Sequence, residues 1–214
     1  MTSKTAVIFD LDGTLIDSLP SIHAAVNAAM AELNAAPLTL TQVRDFIGHG
    51  APHLTAQVCE LRNIPDTRDA LARVLANYDK AHSLTKPYEN AVSVLKQLHQ
   101  SGYKLGICTN KPTSATETAL VHNGMSGLFR SIVSGDTLAY RKPAKEPLLA
   151  VVNELGAEQA IFVGDSEVDA ETAQAAGIPF VLFQRGYLHI AEQDVEKVAT
   201  FDNYADLPDI LASL

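Results

Sequence analysis

Residues 6–14 read AVIFDLDGT, in which four consecutive apolar residues are followed by two aspartates that one leucine separates. An apolar run without in-and-out alternation is typical of a strand that is covered on both faces, as in a parallel sheet. The ligands of such sheets bind beyond the carboxyl ends of the strands. These residues therefore predict a buried first strand whose end carries Asp10 and Asp12 into a binding cleft.

Four further runs of β-branched and aromatic residues predict the rest of this sheet. Apolar residues at helical spacing precede these runs and fill the intervals between them. Strands that alternate with helices are typical of the α/β class, so we predict a doubly wound α/β fold with a parallel sheet of five to six strands. The predicted strands are 104–108, 131–133, 160–163 and 179–183, and the predicted helices are 91–100, 114–122, 146–155 and 168–176.

The interval between the first and the second predicted strand is too long for an ordinary connection. It holds about 90 residues, which is several times the length of a usual crossover. We therefore predict a small all-helical cap domain at 15–85, inserted into an α/β core domain that consists of 1–14 and 86–214. Helical patterns without a strand signal run through this interval over 18–33, 41–47, 53–61 and 66–84.

Composition excludes several classes of protein. The 214 residues are 47% hydrophobic and 19% charged, which is enough apolar material for a buried core and excludes a disordered or collagen-like chain. The net charge of −9 argues against a general binder of nucleic acids or anionic membranes. Two cysteines, Cys59 and Cys108, are too few for a disulfide scaffold, and no apolar window is long enough to span a bilayer. We expect a cytoplasmic monomer or homodimer with reduced thiols.

The ends of the predicted strands carry polar side chains that should meet. Parallel strands bring their carboxyl ends to one edge of the sheet, so residues far apart in the sequence become neighbours there. Crowded carboxylates need a proton or a cation to offset their repulsion, and oxygen ligands without Cys or His favour a hard ion, above all Mg²⁺. The residues are Asp10 and Asp12 after the first strand, Thr109, Asn110 and Lys111 after the second, Lys142 after the third, and Asp165, Ser166 and Asp169 after the fourth.

A lysine beside Mg²⁺ makes a site for an anion. The Lys142 ammonium would pair with a phosphate, and Thr109 with nearby backbone N–H groups would complete the phosphate site. The Asp10 carboxylate would attack phosphorus and form an aspartyl phosphate. Asp12 would protonate the leaving alkoxide and later accept a proton from the attacking water, because residues two apart in an extended segment share a side.

Simpler interpretations exist for the same residues. Asp10 and Asp12 could form an ordinary acidic turn after a strand. Asp165 and Asp169 could cap the next helix, and Ser166 would share that role. Capping is compatible with catalysis, and the occurrence of all four segments in one chain favours the catalytic interpretation.

In their order along the chain, these residues resemble the haloacid dehalogenase (HAD) superfamily of phosphohydrolases. The resemblance covers nearly the whole chain, and it implies a HAD-like Rossmannoid core, an aspartyl-phosphate intermediate and Mg²⁺ as cofactor. The four motifs of the family correspond to DLDGT at 10–14, TN at 109–110, KP at 142–143, and GDS at 164–166 followed by Asp169.

The resemblance also implies a role for each motif residue. Asp10 would be the nucleophile, and Asp12 would be the general acid and base. The Asp10 carboxylate, the Asp12 backbone carbonyl and Asp165 would bind Mg²⁺. Thr109 and Lys142 would hold the phosphoryl group.

Further residues would assist the reaction. Asp169 would act through water or by orienting Lys142, and Asn110 would contact the substrate. In the helical insert, the loop that contains Gly48 and His49 would reach towards the substrate. The insert is similar to the small cap of the subfamily that includes phosphoglycolate phosphatase, to judge from DS at 17–18, FIGHG at 46–50, KPY at 86–88 and GY at 186–187.

We therefore expect a Mg²⁺-dependent phosphomonoester hydrolase that acts on a small phosphorylated metabolite, with 2-phosphoglycolate as the leading substrate. A sugar phosphatase, a pyrophosphatase and a phosphotransferase like β-phosphoglucomutase share this chemistry and stay open; the last would yield an isomer rather than free phosphate. A phospho-accepting signalling domain belongs to a different class. Such domains lack a large insertion, and their phosphorylated Asp follows the third strand rather than the first.

Overall fold

The computed structural model describes residues 5–214, which contain two sheets. In chain order, the strands are β1 (Thr5–Phe9), β2 (Ile16–Asp17), β3 (Lys86–Pro87), β4 (Lys104–Cys108), β5 (Ser131–Val133), β6 (Gln159–Gly164), β7 (Phe180–Phe183) and β8 (Ala199–Phe201). Six of them form a parallel sheet in the order β5-β4-β1-β6-β7-β8. The other two, β2 and β3, form an antiparallel pair.

Helices cover both faces of the large sheet. They are α1 (Leu19–Glu32), α2 (Leu40–Arg44), α3 (Ala51–Arg62), α4 (Thr67–Ala81), α5 (Ala91–Gln100), α6 (Thr113–His122), α7 (Glu146–Leu155), α8 (Glu167–Ala176) and α9 (Leu207–Ser213). On β1, Val7 and Phe9 pack in one cluster with side chains of α5, α6 and α9, whereas Ala6 and Ile8 pack in another with those of α7 and α8. Alternate side chains of β1 are thus buried under helices on the two faces of the sheet, and the predicted doubly wound α/β fold is confirmed.

The predicted elements of this sheet agree closely with the structure. Helices α5 and α7 have the predicted bounds, 91–100 and 146–155. Strand β8 is the sixth strand that the sequence left open. It has only three residues, too few for a periodic pattern, and it forms one edge of the sheet beside β7.

Between β2 and β3 the secondary structure is helical, as expected, and helices α1–α4 share an apolar cluster, whereas β2 at Ile16–Asp17 departs from the all-helical prediction for 15–85. Val26 and Met30 of α1, Val43 of α2, Leu54 of α3 and Val74 of α4 belong to this cluster. Helix α2 ends at Arg44, three residues before the predicted end, and α4 is followed by a short 3₁₀ turn at His82–Leu84. Within residues 5–214, no helix is long and apolar enough to cross a membrane.

The chain passes between the sheet and this helical unit at β2 and β3. Ile16 pairs with Pro87, and Asp17 pairs with Lys86. The proposed domain boundaries, 14/15 and 85/86, lie beside this pair of strands, and the division stays a proposal. Residues 1–4 of the proposed core lie outside the described residues.

Candidate active site

Three neighbouring strands of the large sheet end in the predicted site residues. Asp10 follows β1, Thr109 follows β4 on one side of β1, and Asp165 follows β6 on the other side. All three residues are buried. The sheet order thus brings together at one edge side chains that are separated by up to 155 positions in the sequence.

Three carboxylates form a buried cluster at this edge. One carboxylate oxygen from each of Asp10, Asp165 and Asp169 lies within 4.8 Å of the others. Burial raises the pKa of Asp10 to about 6, although the Lys142 ammonium opposes this rise. Burial, together with the charges of Asp169 and Asp10, raises the pKa of Asp165 well above its ordinary value. Such a cluster is expected to bind protons or a cation.

Lys142 supplies one positive charge to the cluster. Its Nζ lies 2.6 Å from Asp169 Oδ1 and 2.9 Å from Asp10 Oδ1. Burial alone would lower the pKa of Lys142, but the attraction of Asp10 and Asp169 raises it above its ordinary value. The side chain is therefore an ammonium ion in contact with the predicted nucleophile.

Asp169 is held in place by the start of helix α8. Its Oδ2 accepts hydrogen bonds from Ser166 Oγ at 2.6 Å and from the backbone N–H groups of Asp165 and Ser166 at 3.2 Å each. In return, Ser166 Oγ accepts a hydrogen bond from the Asp169 N–H and caps the helix. The capping role proposed for Ser166 is therefore present. Since both oxygens of Asp169 have protein partners, the residue is suited to orient Lys142.

Asp165 accepts fewer hydrogen bonds from the protein than Asp169 does. Its Oδ1 accepts a hydrogen bond from Thr14 Oγ1 at 2.5 Å, and its Oδ2 accepts one from the Tyr187 N–H at 2.7 Å. A Cβ atom on Gly13 or Gly186 would lie 2.3 or 2.2 Å from Asp165 Oδ2, so both positions need glycine. Each oxygen of Asp165 keeps a lone pair for a further ligand.

The donor set at this edge fits a hard divalent cation. Asp10 Oδ1 is a buried oxygen that receives no hydrogen bond of good geometry, although the Lys142 ammonium lies close to it. Asp10 and Asp165 can each offer a carboxylate oxygen, and Asp169 offers fewer free lone pairs. Oxygen ligands without Cys or His are the type that Mg²⁺ and Ca²⁺ prefer.

The Asp12 carboxylate is paired with Lys111, a residue that the sequence analysis placed at this edge of the sheet but to which it gave no role. Lys111 Nζ lies 2.8 Å from Asp12 Oδ1 and 3.1 Å from Oδ2. The same ammonium donates a hydrogen bond to the hydroxyl of Tyr78 on α4 and lies 4.2 Å from the centre of its ring. The sequence signal for Lys111 was its position in the loop after β4, directly after Thr109 and Asn110.

Asn110 uses its side chain for contacts within the protein. Its Oδ1 accepts a hydrogen bond from the Lys142 N–H, and its Nδ2 donates to the carbonyl groups of Lys142 and Gly48, each at 3.0 Å. These bonds occupy both Nδ2 hydrogens. The Asn110 side chain therefore joins the Lys142 loop to the loop between α2 and α3, and only its backbone is free for the predicted substrate contact.

The loop between α2 and α3 turns its glycines towards the site. Gly48 and Gly50 line a cavity, and a Cβ atom on Gly50 would lie 2.7 Å from the carbonyl oxygen of Asn110. His49 between them is exposed, lies outside the cavity lining and contacts His53, with ring centroids 4.8 Å apart and ring planes tilted by 52°. The structure therefore brings Gly48 to the site but not the side chain of His49, because the two glycines occupy the inner side of this turn.

The cavity lies between the sheet edge and helices α1, α3 and α4. Its volume is about 70 Å³. Since a water molecule needs roughly 10–15 Å³ by the same measure, several atoms of a small ligand can fit. Its polar side is formed by Asp10, Asp12, Thr109, Asn110 and Lys111, and its apolar side by residues such as Ile22, Ala25, Ile47, Leu54, Val74 and Ala115.

Comparison with known proteins gives a consistent assignment. The model of the haloacid dehalogenase-like hydrolase family matches residues 7–183. A phosphoglycolate phosphatase of Cereibacter sphaeroides (strain ATCC 17029) is 42% identical over 97% of this chain and 98% of its own length. The phosphoglycolate phosphatase of Rhodospirillum rubrum is 40% identical over 96% and 90% of the two chains. The crystal structure of a predicted phosphoglycolate phosphatase from Haemophilus somnus 129PT covers 99% of both chains with a TM-score of 0.88 and 29% identity.

Proposed function

This chain belongs to the haloacid dehalogenase-like hydrolases, and we propose that it hydrolyses 2-phosphoglycolate to glycolate and phosphate with Mg²⁺ as cofactor. The observation that carries the proposal is the contact of Lys142 with Asp10 beside Asp165 in a buried cleft. An oxyanion can be held there next to a carboxylate nucleophile. The substrate is proposed because relatives at about 40% identity over nearly their full length are phosphoglycolate phosphatases.

Mg²⁺ would be held by the carboxylates of Asp10 and Asp165 and by the backbone carbonyl of Asp12. Bound there, it would neutralise phosphoryl charge and act as a Lewis acid. Lys142 and the Thr109 hydroxyl would bind the remaining phosphoryl oxygens. Asp169 would keep the Lys142 ammonium in position through their 2.6 Å contact.

The reaction would proceed in two displacements. In the first, an Asp10 carboxylate oxygen attacks phosphorus, the bond from phosphorus to the ester oxygen breaks, and protonated Asp12 gives its proton to the leaving glycolate oxygen. In the second, water attacks the phosphorus of the aspartyl phosphate while Asp12 takes a proton from that water. The acyl phosphate bond then breaks, which releases phosphate and restores Asp10.

A phosphate-release assay over a panel of small phosphoesters, with and without Mg²⁺, tests the proposal. We expect the highest kcat/KM for 2-phosphoglycolate, and we expect turnover to require Mg²⁺. Asp10→Asn should remove turnover, whereas Asp202→Asn, a matched change at an exposed position, should not.

Other outcomes would identify the alternatives. A higher kcat/KM for a sugar phosphate or for pyrophosphate would replace the proposed substrate. Formation of an isomer without free phosphate would indicate a phosphotransferase. A phosphorylated protein that is stable for hours would indicate a signalling domain.

A further inference from the structure

The cavity contains a cation that the proposed mechanism leaves without a role. Among the cavity-lining residues within 5–214, Lys111 is the only one with a positively charged side chain. Only 4% of its side chain is exposed. A buried ammonium in the ligand cavity, separate from the Lys142 ammonium, is suited to a second anionic group of the substrate.

The present partners of Lys111 come from the sheet edge and from α4. Both oxygens of Asp12 lie within 3.1 Å of its Nζ, and the Tyr78 hydroxyl accepts a hydrogen bond from it. The Tyr78 hydroxyl makes no second hydrogen bond with any residue in 5–214, so its own hydrogen can be donated to a ligand. Lys111 and Tyr78 together can thus offer a charge and an O–H donor to one carboxylate.

The surroundings make this charge pairing strong. Burial alone would lower the pKa of Lys111, yet the attraction of Asp12 and Tyr78 raises it above its ordinary value. The rest of the wall near Tyr78 is apolar, with Ile22, Ala25 and Val74. Charges attract more strongly in such surroundings than in water, so a carboxylate that enters the cavity would compete with Asp12 for the ammonium.

The pairing also restrains Asp12. With both carboxylate oxygens on Lys111, Asp12 has to turn away from the ammonium before it can transfer a proton to an ester oxygen. A ligand that replaces Asp12 on Lys111 would therefore release the group that the reaction needs.

We propose that Lys111, assisted by the Tyr78 hydroxyl, binds the carboxylate of the leaving group and takes it in exchange for Asp12, which then takes a proton from water and delivers it to the ester oxygen. This inference rests on the proposed function. In 2-phosphoglycolate a single methylene separates the carboxyl carbon from the ester oxygen. A carboxylate on Lys111 therefore keeps the ester oxygen next to Asp12, and a phosphoester without the carboxylate leaves Asp12 paired.

The test compares 2-phosphoglycolate with ethyl phosphate, which has the same two-carbon length and no carboxylate. For the wild type and for Lys111→Met, the ratio of kcat/KM for the two esters is measured with Mg²⁺ present. We expect the ratio to fall at least tenfold in the variant, because a charged hydrogen-bond partner of the carboxylate is lost. Lys96→Met, on an exposed part of α5, is the matched control and should keep the wild-type ratio.

A smaller change in the ratio would overturn the inference. Equal losses on both esters would mean that Lys111 acts only by positioning Asp12. If ethyl phosphate turns over too slowly, the dissociation constants of both esters for the Asp10→Asn enzyme, with and without Lys111→Met, give the same comparison. Tyr78→Phe keeps the ring and should lower the ratio at least twofold, so the inference can be tested even if Lys111→Met does not fold.

The two proposals fail in different ways. If the wild type releases no phosphate from 2-phosphoglycolate, the proposed function is wrong and this inference falls with it. If the wild type does so but the ratio is insensitive to Lys111, only the inference is wrong.

Discussion

The Lys142 ammonium is shared by two carboxylates that have different tasks. Asp10 offers an oxygen to the ligand side of the cleft, while Asp169 is fixed by three hydrogen bonds at the start of α8. The position of Lys142 therefore depends on an aspartate that need not touch the substrate. Removing that charge should loosen the lysine while leaving the Asp10 side chain itself in place.

We predict that Asp169→Asn lowers kcat/KM for 2-phosphoglycolate by about 10–100-fold, the usual cost of losing a group that orients a ligand-binding residue. Steady-state kinetics checks this, with the loss expected mainly in KM if Lys142 acts on phosphate binding. Glu171→Gln, on the exposed side of the same helix, is the control. Wild-type kinetics in Asp169→Asn would contradict the positioning role.

The sequence could predict those contacts in the site that join residues at the ends of predicted strands. Asp10 and Asp165 each follow an apolar run, so their meeting at the sheet edge could be expected. The contacts of Lys111 with Tyr78 and of Asn110 with Gly48 could not be predicted, because Tyr78 and Gly48 come from the helical unit. Tyr78 lies 33 positions from Lys111, and Gly48 lies 62 positions from Asn110, and no local pattern links them.

At the scale of elements, the start of helix α1 is capped by Tyr187, which lies in the loop after β7. Ser18, at the start of the helix, makes no capping bond through its own side chain. Instead, the Tyr187 hydroxyl accepts hydrogen bonds from the N–H groups of Ser18 and Leu19 and donates one to Asp17 Oδ1. The first N–H groups of a helix lack partners within it, so this hydroxyl acts as the cap.

We predict that Tyr187→Phe lowers the free energy of unfolding by about 1–2 kcal/mol, the usual cost of losing a helix cap. Denaturant unfolding measures this, with Tyr140→Phe at a site that is 59% exposed as the control. The Asp165 contact uses the Tyr187 backbone N–H, so the response to Mg²⁺ should be kept. Unchanged stability would show that water replaces the hydroxyl at no cost.

His189 joins the loop after β7 to α2 and α8. Its Nδ1 lies 2.9 Å from Glu167 Oε1, and its Nε2 lies 3.1 Å from the carbonyl oxygen of Arg44. Only the protonated ring can donate to both. The hydrogen bond to Glu167 raises the pKa of His189. Burial alone would raise the pKa of Glu167, but its bonds to His189 lower it to about 2.

The sign of the pH effect follows from these shifts. A raised histidine pKa stabilises the fold fully below the ordinary value of 6.5, and this contribution is lost as the pH rises through the folded pKa. The lowered Glu167 pKa contributes above its ordinary value of 4.5 and is lost as the pH falls towards 2. We predict that His189→Gln destabilises the protein most between about pH 4.5 and 6.5 and least at pH values above the raised pKa of His189. Unfolding curves across this range check it, and a pH-independent difference would contradict it.

Element bounds were predictable where packing and a stop signal coincide. Helix α7 ends where Gly156 adopts the left-handed conformation, and its apolar face is regular, so its bounds follow from the sequence. Helix α2 has five residues and a single buried side chain, which is too little signal to set its end. Strand β8 escaped prediction because its place depends on pairing with β7 and not on its own three residues.

For the molecule as a whole, the acidic cluster concentrates at one site part of the excess of acidic residues that gives the chain its net charge of −9. The raised pKa values of Asp10 and Asp165 show that their ionised forms are disfavoured in the fold. A bound divalent cation would offset that repulsion and stabilise the folded state by mass action.

We predict that millimolar Mg²⁺ raises the Tm at pH 7.5 and that EDTA reverses the shift. Asp165→Asn should reduce the shift severalfold, and Asp202→Asn should keep it. Differential scanning fluorimetry measures both. An equal Mg²⁺ response in Asp165→Asn would place the ion elsewhere.

The monomeric or homodimeric state and the cytoplasmic location stay predictions. Light scattering tests the oligomeric state.

The pair of strands β2 and β3 has a mechanical consequence. Within residues 5–214, the chain passes twice between the sheet and helices α1–α4, and the two crossing segments pair with each other at Ile16–Pro87 and Asp17–Lys86. Because the two connecting segments lie side by side, they can act as a single hinge. Such a hinge permits rotation of helices α1–α4 relative to the sheet but resists their translation along it. Such a rotation would part Tyr78 from Lys111 and Gly48 from Asn110 in one movement. Entry of a ligand would then coincide with the loss of the Tyr78 contact, which leaves Lys111 paired with Asp12 alone.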